Sequence, residues 1–380
     1  MSLVADYSAR TIDNSIAGSY DVDATSLNWR IMDDLAVRYS EQTAVKAPDL
    51  GDLFLPQITA FSRADDPCDY RFRDVGRNPE QRRANCDAEG IPADFVSLVV
   101  NATARGVTGG NPNLINEVAD TVSTGIVYQP NWWGDVFFGS LNLAADYIEI
   151  QLNDYVTSFS LSQNMAACYD YDTYPNSQFC DSFTRDADFE VVDFQTGLIN
   201  AGLIDFATYV YKADFAFDVA ELASFVSREN VAMDLGSMAV RWRATQEDFF
   251  ASADSGAAED LSSATGQFGN DEWFYDTAVE WVYGDWYVWV QGNSRSGGVI
   301  DINRQYDDEY LGYDGNPIYE FDGYTTYNGG VGYYVNDDTT LRVNFYNLMD
   351  YDGFEEDVFT PEADLLFIGR QVNASLNVRF

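Results

Sequence analysis

The last ten residues, Gln371-Val-Asn-Ala-Ser-Leu-Asn-Val-Arg-Phe380, alternate without a break. Val372, Ala374, Leu376, Val378 and Phe380 fall on one side, and Gln371, Asn373, Ser375, Asn377 and Arg379 on the other. Side chains point to opposite faces at each step of a strand, so this is a two-faced strand, apolar on one side and polar on the other. About ten residues is the length of a tilted membrane-spanning β-strand, whose apolar face meets lipid and whose polar face looks into a lumen. An edge strand of a soluble sandwich alternates in the same way, so this stretch alone leaves both open.

The rest of the chain widens the comparison. Candidate strands lie near 27–32, 35–43, 118–129, 136–157, 204–216, 232–244, 272–283, 286–293, 322–335, 340–348 and 370–380. Val122, Thr124, Ile126 and Tyr128 share a face, as do Thr277, Val279, Trp281 and Tyr283. Gly284-Asp285 suits a tight two-residue hairpin turn. The segment 136–157 changes phase, which predicts a bulge or register break near Tyr147. Val219 to Phe225 fits either a further strand or a helical turn.

Short connections at Met32-Asp33-Asp34-Leu35, Pro130–Asp135, Gly284-Asp285 and Asn336–Asp338 alternate with long ones. The long ones cover about 44–116, 158–200, 245–271, 294–321 and 349–368. Short turns on one side and long loops on the other are the topology of a membrane barrel, and a sandwich has no reason to keep it. The fold class read here is all-β: an antiparallel transmembrane β-barrel.

Composition narrows the function. Net charge is −41, which removes the positive footprint that nucleic acid requires. The chain contains no histidine, so the usual Ser-His-Asp and Cys-His centres and all histidine metal sites are excluded. No P-loop or dinucleotide fingerprint is present, and no catalytic residue, cofactor site or metal site is nominated. No apolar run approaches the length of a membrane helix. Aromatic content is 15%, consistent with belts at two membrane interfaces. Met1 to Tyr7 carries neither a charged n-region nor an apolar h-region, so a secreted reading requires a missing or processed start.

Four cysteines form two local pairs, Cys68 with Cys86 and Cys168 with Cys180. Each pair lies in a polar, turn-rich stretch, which suggests disulfides in an oxidising compartment. A four-cysteine zinc site is the rival, although the spacings fit no C-x2-C pattern. Two acidic clusters, Asp170/Asp172/Asp181 and Asp307/Asp308/Glu309/Asp314, raise structural calcium, though neither follows the EF-hand spacing.

Several motifs, taken in order, carry a family resemblance. They are Val45-Lys-Ala-Pro-Asp-Leu-Gly-Asp-Leu-Phe54, Asp66-Pro-Cys68, Arg83-Ala-Asn-Cys86 and Gly110-Asn-Pro-Asn-Leu-Ile-Asn-Glu117. Ala145-Asp-Tyr147 with Ile150, Cys168 and Cys180, Asn200-Ala-Gly202 with Ile204-Asp-Phe206, and Asn347-Leu-Met-Asp350 follow. Gly369-Arg370 and the terminal Phe380 close the series. From about residue 24 to its end the chain resembles TonB-dependent outer-membrane receptors, and the final aromatic resembles the assembly signal of outer-membrane proteins. Lys46 and Asp52 depart from the family pattern conservatively. Leu203 replaces a glycine and puts a local turn in doubt.

The resemblance implies the carboxy-terminal part, about 11–13 strands, of a 22-stranded barrel, with residues 1–380 as one barrel portion. In the family an amino-terminal plug engages TonB, and neither plug nor TonB box is read in this chain. The implied function is energised uptake of a scarce nutrient across the outer membrane, with lipid, TonB and a small ligand as partners. The ligand is not fixed: siderophore, cobalamin, oligosaccharide and peptide stay open. Loop tyrosines 169, 171, 174, 306, 310 and 313 are candidates for ligand contact or simply hydrated loop residues, and no ligand-binding residue is assigned. A passive porin and a secreted soluble β-protein for carbohydrate binding or adhesion are the alternatives.

Overall fold

The computed structural model describes residues 1–16, 18–229, 231–253, 261–299, 320–351, 353 and 369–379. Its main sheet is an unbroken antiparallel path of 12 strands. In chain order these are β1 (Ser2–Asn14), β2 (Gly18–Met32), β3 (Leu35–Lys46), β4 (Glu117–Tyr128), β5 (Ser140–Ser158) and β6 (Val191–Asp218). The path continues through β7 (Ser237–Ala253), β8 (Trp273–Tyr283), β9 (Trp286–Arg295), β10 (Tyr324–Asn336), β11 (Thr339–Tyr346) and β12 (Gln371–Val378). Sequential neighbours pair throughout.

Residues directly opposite each other across a ladder lie on the same face, so register assigns every side chain. One row runs Phe215–Val240–Val279–Val290–Gly329–Phe345–Val372 from β6 to β12. Another runs Ala144–Lys212–Arg243–Asp276–Asn293–Thr326 from β5 to β10. The first lies on an apolar face and the second on a polar one. Val372, Ala374, Leu376 and Val378 all join the apolar face in β12; Phe380 lies outside the described residues.

The apolar face carries aromatics in two belts. Near the long loops, Trp273 stacks on Tyr275 at 5.5 Å and Tyr147 contacts Tyr209 at 4.9 Å. Near the short turns, Trp281 stacks on Tyr283 at 5.7 Å and Trp286 contacts Tyr333 at 4.7 Å. Aliphatic residues such as Val279, Val288, Val331 and Val343 fill the band between them. Large apolar side chains including Val290, Val331 and Leu341 are exposed there.

Several sequence expectations need correction. Strand β1 was not anticipated, because its alternating positions hold alanine, serine and aspartate, which give little contrast. The break in β5 is not at Tyr147: pairing runs evenly through Leu152 and shifts only around Tyr155, beside Asp154 at φ +55°. β6 begins at Val191 rather than near 204, and it passes straight through Leu203, so no turn exists there. Residues 219–227 are helical, and β7 begins at Ser237 rather than near 232.

The long connections at 47–116 and 159–190 fold together into a cap. It holds helices α1 (Pro79–Glu89) and α2 (Leu161–Tyr169), and a third helix, α3 (Val219–Ser227), lies at the opposite, short-turn end. A small ribbon pairs Ile58–Ser62 with Ala104–Gly109, and the second of these runs parallel to β6 over 195–197. The cap core gathers Cys68, Cys86, Ile91, Phe159, Met165 and Phe194, all buried.

Candidate functional site

The cap and the polar face below it form the candidate site. The polar face is lined by matched charges. Arg38 donates from Nε and Nη2 to Asp146 at 2.8 and 2.6 Å, across Gly125 of the intervening strand. A side chain at 125 would collide with that carboxylate, so the ion pair requires glycine there. Arg243 donates to Asp214 at 2.7 Å, Arg241 pairs with Glu280, and Gln291 donates to Asp276.

The motif segments 45–54 and 110–117 prove to be one clamp at the root of the cap. Residues Leu50–Phe54 form a helical turn whose N-cap Asp49 N–H donates to the Asp52 carboxylate at 3.0 Å. The backbone N–H groups of Gly110 and Asn111 reach Leu55 and Asp52 carbonyls at 2.9 and 2.8 Å. Lys46 pairs with the buried Glu117 at 2.7 Å, and Glu117 also accepts from Val156 N–H at 2.9 Å. Asn111 donates to the Leu198 carbonyl at 2.9 Å. Asn200 donates to Ile115 and Asp154 carbonyls at 3.0 and 2.8 Å and accepts from Ile115 N–H at 2.8 Å. The asparagines thus satisfy backbone groups that loops would otherwise leave unpaired. A cleft of about 470 Å³ opens beside this clamp, with Asn113, Gln178, Asp181, Gln195 and Thr196 on its walls. Such a lining offers hydrogen bonds to a polar ligand and carries acidic rather than basic charge.

Above the clamp the cap is held by covalent and ionic ties. Cys68 is bonded to Cys86 and Cys168 to Cys180, with Cα separations of 5.7 and 4.8 Å. Arg185 makes a bidentate pair with Asp66 at 2.7 and 2.8 Å, and both side chains are buried. Arg82 pairs with Asp170 at 2.5 and 2.6 Å, again buried. Burial would raise the Asp69 carboxyl, but hydrogen bonds from Arg71 and from Ser97 N–H outweigh it and hold it below the usual range.

Of the loop tyrosines, Tyr169, Tyr171 and Tyr174 belong to this interior. Tyr169 is buried, stacks on Tyr174 at 5.4 Å, donates to Glu89 and accepts from Arg185 Nε at 2.9 Å. Burial, opposed by Arg185 and reinforced by Glu89, holds its hydroxyl far above the ordinary tyrosine range. Tyr174 also donates to Glu89, at 3.1 Å, and burial with the Glu89 charge pushes its pKa up to about 12. Tyr169 is cap core, and Tyr174 packs half-buried against it. Tyr306, Tyr310, Tyr313 and the acidic group 307–314 lie outside the described residues. Asp170 is committed to Arg82 and is not an open ligand for calcium; among the described residues no group of three or more metal-ligating side chains converges.

Asp66 stands in the Asp66-Pro-Cys68 motif, but its buried partner Arg185, the buried Arg82 and the half-buried Glu89 were not singled out in the sequence. The one trace of Glu89 there is that it closely follows Cys86.

No family model matches the chain, and no curated protein matches it in sequence. Solved structures do. A mutant of the ferric enterobactin receptor PfeA from Pseudomonas aeruginosa superposes with a TM-score of 0.58 at 12% identity, over 100% of this chain and 43% of that one. The siderophore receptor PirA from Acinetobacter baumannii gives 0.58 at 13% identity, over 100% and 44%. A PfeA mutant in complex with enterobactin gives 0.55 at 12%, over 99% and 43%. The chain therefore has the antiparallel barrel-sheet fold of these receptors and spans less than half their length.

Proposed function

We propose that this chain is part of the barrel of a TonB-dependent outer-membrane receptor that takes up a scarce nutrient by binding and energised transport, without covalent chemistry. The observation that carries the reading is the sheet's two-faced register with its pair of aromatic belts. In the 11-residue β8, Trp273 and Tyr283 stand at the two ends of the apolar face. At ~3.3 Å per residue and a tilt of ~40°, they are about 25 Å apart along the membrane normal, the height of the apolar band on outer-membrane barrels. Apolar side chains such as Val290 and Val331 stand in that band exposed to the surroundings, as lipid requires and water does not.

In this reading the polar face lines the lumen, the short turns face the periplasm, and the cap stands outside the cell over the vestibule. The cap's rigid clamp and the acidic cleft beside it present hydrogen-bonding walls to the incoming ligand. PfeA and PirA are described as a ferric enterobactin receptor and a siderophore receptor, which supports testing ferric siderophores first. TonB would act through a plug carried elsewhere in the full receptor.

The test is uptake by cells carrying the native gene, disrupted or intact, from a panel of labelled ferric siderophores and cobalamin. Uptake of one of these is expected to require both the gene and the proton gradient. Gene-dependent uptake that persists unchanged with a protonophore would make the protein a passive porin instead.

A further inference from the structure

We propose that α3 lies flat on the inner, periplasmic face of the outer membrane and anchors the barrel there in zwitterionic phospholipid, an inference that rests on the membrane reading above. Among the described turns at that end, those at 33–34, 284–285 and 337–338 are two-residue connections. The link between β6 and β7 instead carries a 9-residue helix.

The helix is fixed by its polar side. Val219 N–H donates to the Gly236 carbonyl at 2.9 Å, Glu221 accepts from Gly139 N–H at 3.1 Å, and Ser224 accepts from Val231 N–H at 3.0 Å. Its apolar side is left outward. Phe225 is 49% exposed and Val226 is 73% exposed. A helix of this kind, with a polar side and an apolar side that the described residues cover only in part, is suited to lie in a membrane interface.

The occupant follows from continuity and charge. Phe225 packs on Phe138 at 5.3 Å, and Phe138 packs on Phe217 at 5.3 Å and on Phe215 at 5.4 Å. Phe215 and Phe217 belong to the apolar face of β6, so the helix extends the lipid-facing surface without a polar gap. Asp218, Glu221, Glu229 and Asp234 outnumber Arg228 around it. That balance repels anionic lipid and suits a headgroup that carries an ammonium.

The test uses the native protein reconstituted in phosphatidylethanolamine vesicles, with an environment-sensitive fluorophore on Val226→Cys or on Val331→Cys in the strand band. Val290→Cys serves if Val331→Cys does not assemble. Lipids carry a quencher either high on the acyl chain or deep within it. We expect the label at 226 to be quenched several-fold more by the shallow lipid than by aqueous iodide, and the label at 331 by the deep lipid. Lipid quenching at 331 with only iodide quenching at 226 would overturn the anchor and leave the barrel standing. No lipid quenching at 331 would overturn the membrane reading, and the anchor with it.

Discussion

Arg185 and Asp66 are 119 residues apart in sequence and both lie buried in the cap, joined by two hydrogen bonds. Removing one partner of such a pair strands a buried charge, at a cost of about 3–5 kcal/mol. Arg185→Met should therefore lower cap stability by that order in denaturant, followed by protease cleavage within 47–116. Arg185→Met with Asp66→Leu should recover part of the loss, because neither charge is then stranded. A single variant as stable as the parent would show that the pair is dispensable. Tyr174 gives a pH signature. Its folded pKa is raised, so its contribution is complete below the unfolded value near 10 and is lost as pH climbs toward about 12. Cap stability should fall over that alkaline window, and Tyr174→Phe should flatten the fall. None of this was legible beforehand. An ion pair between distant loops leaves no periodic trace, and a tyrosine in a polar loop reads as hydrated until its neighbours are known. The clamp asparagines were visible as a motif, but their work on backbone carbonyls was not.

Strands were legible where the apolar face carries bulky side chains. The apolar faces of β8 and β9 carry tryptophan, tyrosine and valine, while Asp276, Glu280, Gln291 and Asn293 mark the other face, and their Gly284-Asp285 turn fell where expected, with Tyr283 paired to Trp286. β1 escaped notice because Ala5, Ala9 and Ser8 differ little in hydropathy. Val219 to Phe225 was ambiguous because Leu222 and Phe225 satisfy helical spacing within a segment short enough for a strand. Helix forms because the segment has no sheet partner, and its backbone must then bond internally. The same two-face logic makes substitutions in β9 asymmetric. Val290→Arg, on the apolar face, should cost about 2–4 kcal/mol in vesicles, whereas Asn293→Arg on the polar face should cost much less. The gel mobility shift between folded and unfolded barrel reads both, and equal penalties would contradict the face assignment. The disulfides act at this scale as well. Cys168→Ser with Cys180→Ser should destabilise the cap by about 3 kcal/mol in the entropic account while leaving the strand path intact. Loss of the folded mobility would instead tie barrel assembly to the cap.

At the scale of the molecule, alternation of turn and loop lengths was the most informative property of the sequence. It indicated which end would carry bulk, and the chain places its stapled cap there and the two-residue turns at 33–34, 284–285 and 337–338 opposite, with the short β1–β2 link on the cap side. The acidity that excluded nucleic acid is distributed over cap, turns and the matched pairs of the polar face, rather than gathered into one metal site among the described residues. What was not legible was the cap's internal order, because its fold depends on contacts between two loops separated by β4 and β5. The central claim is that the sheet crosses a membrane with one face in lipid and the other in a lumen. Single cysteines placed in turn at 287 through 293 of β9, in outer membranes isolated with the native protein, test it directly. A membrane-impermeant maleimide should label positions 287, 289, 291 and 293 and spare 288, 290 and 292. Labelling at both parities alike would contradict the account and return the protein to the soluble β-proteins.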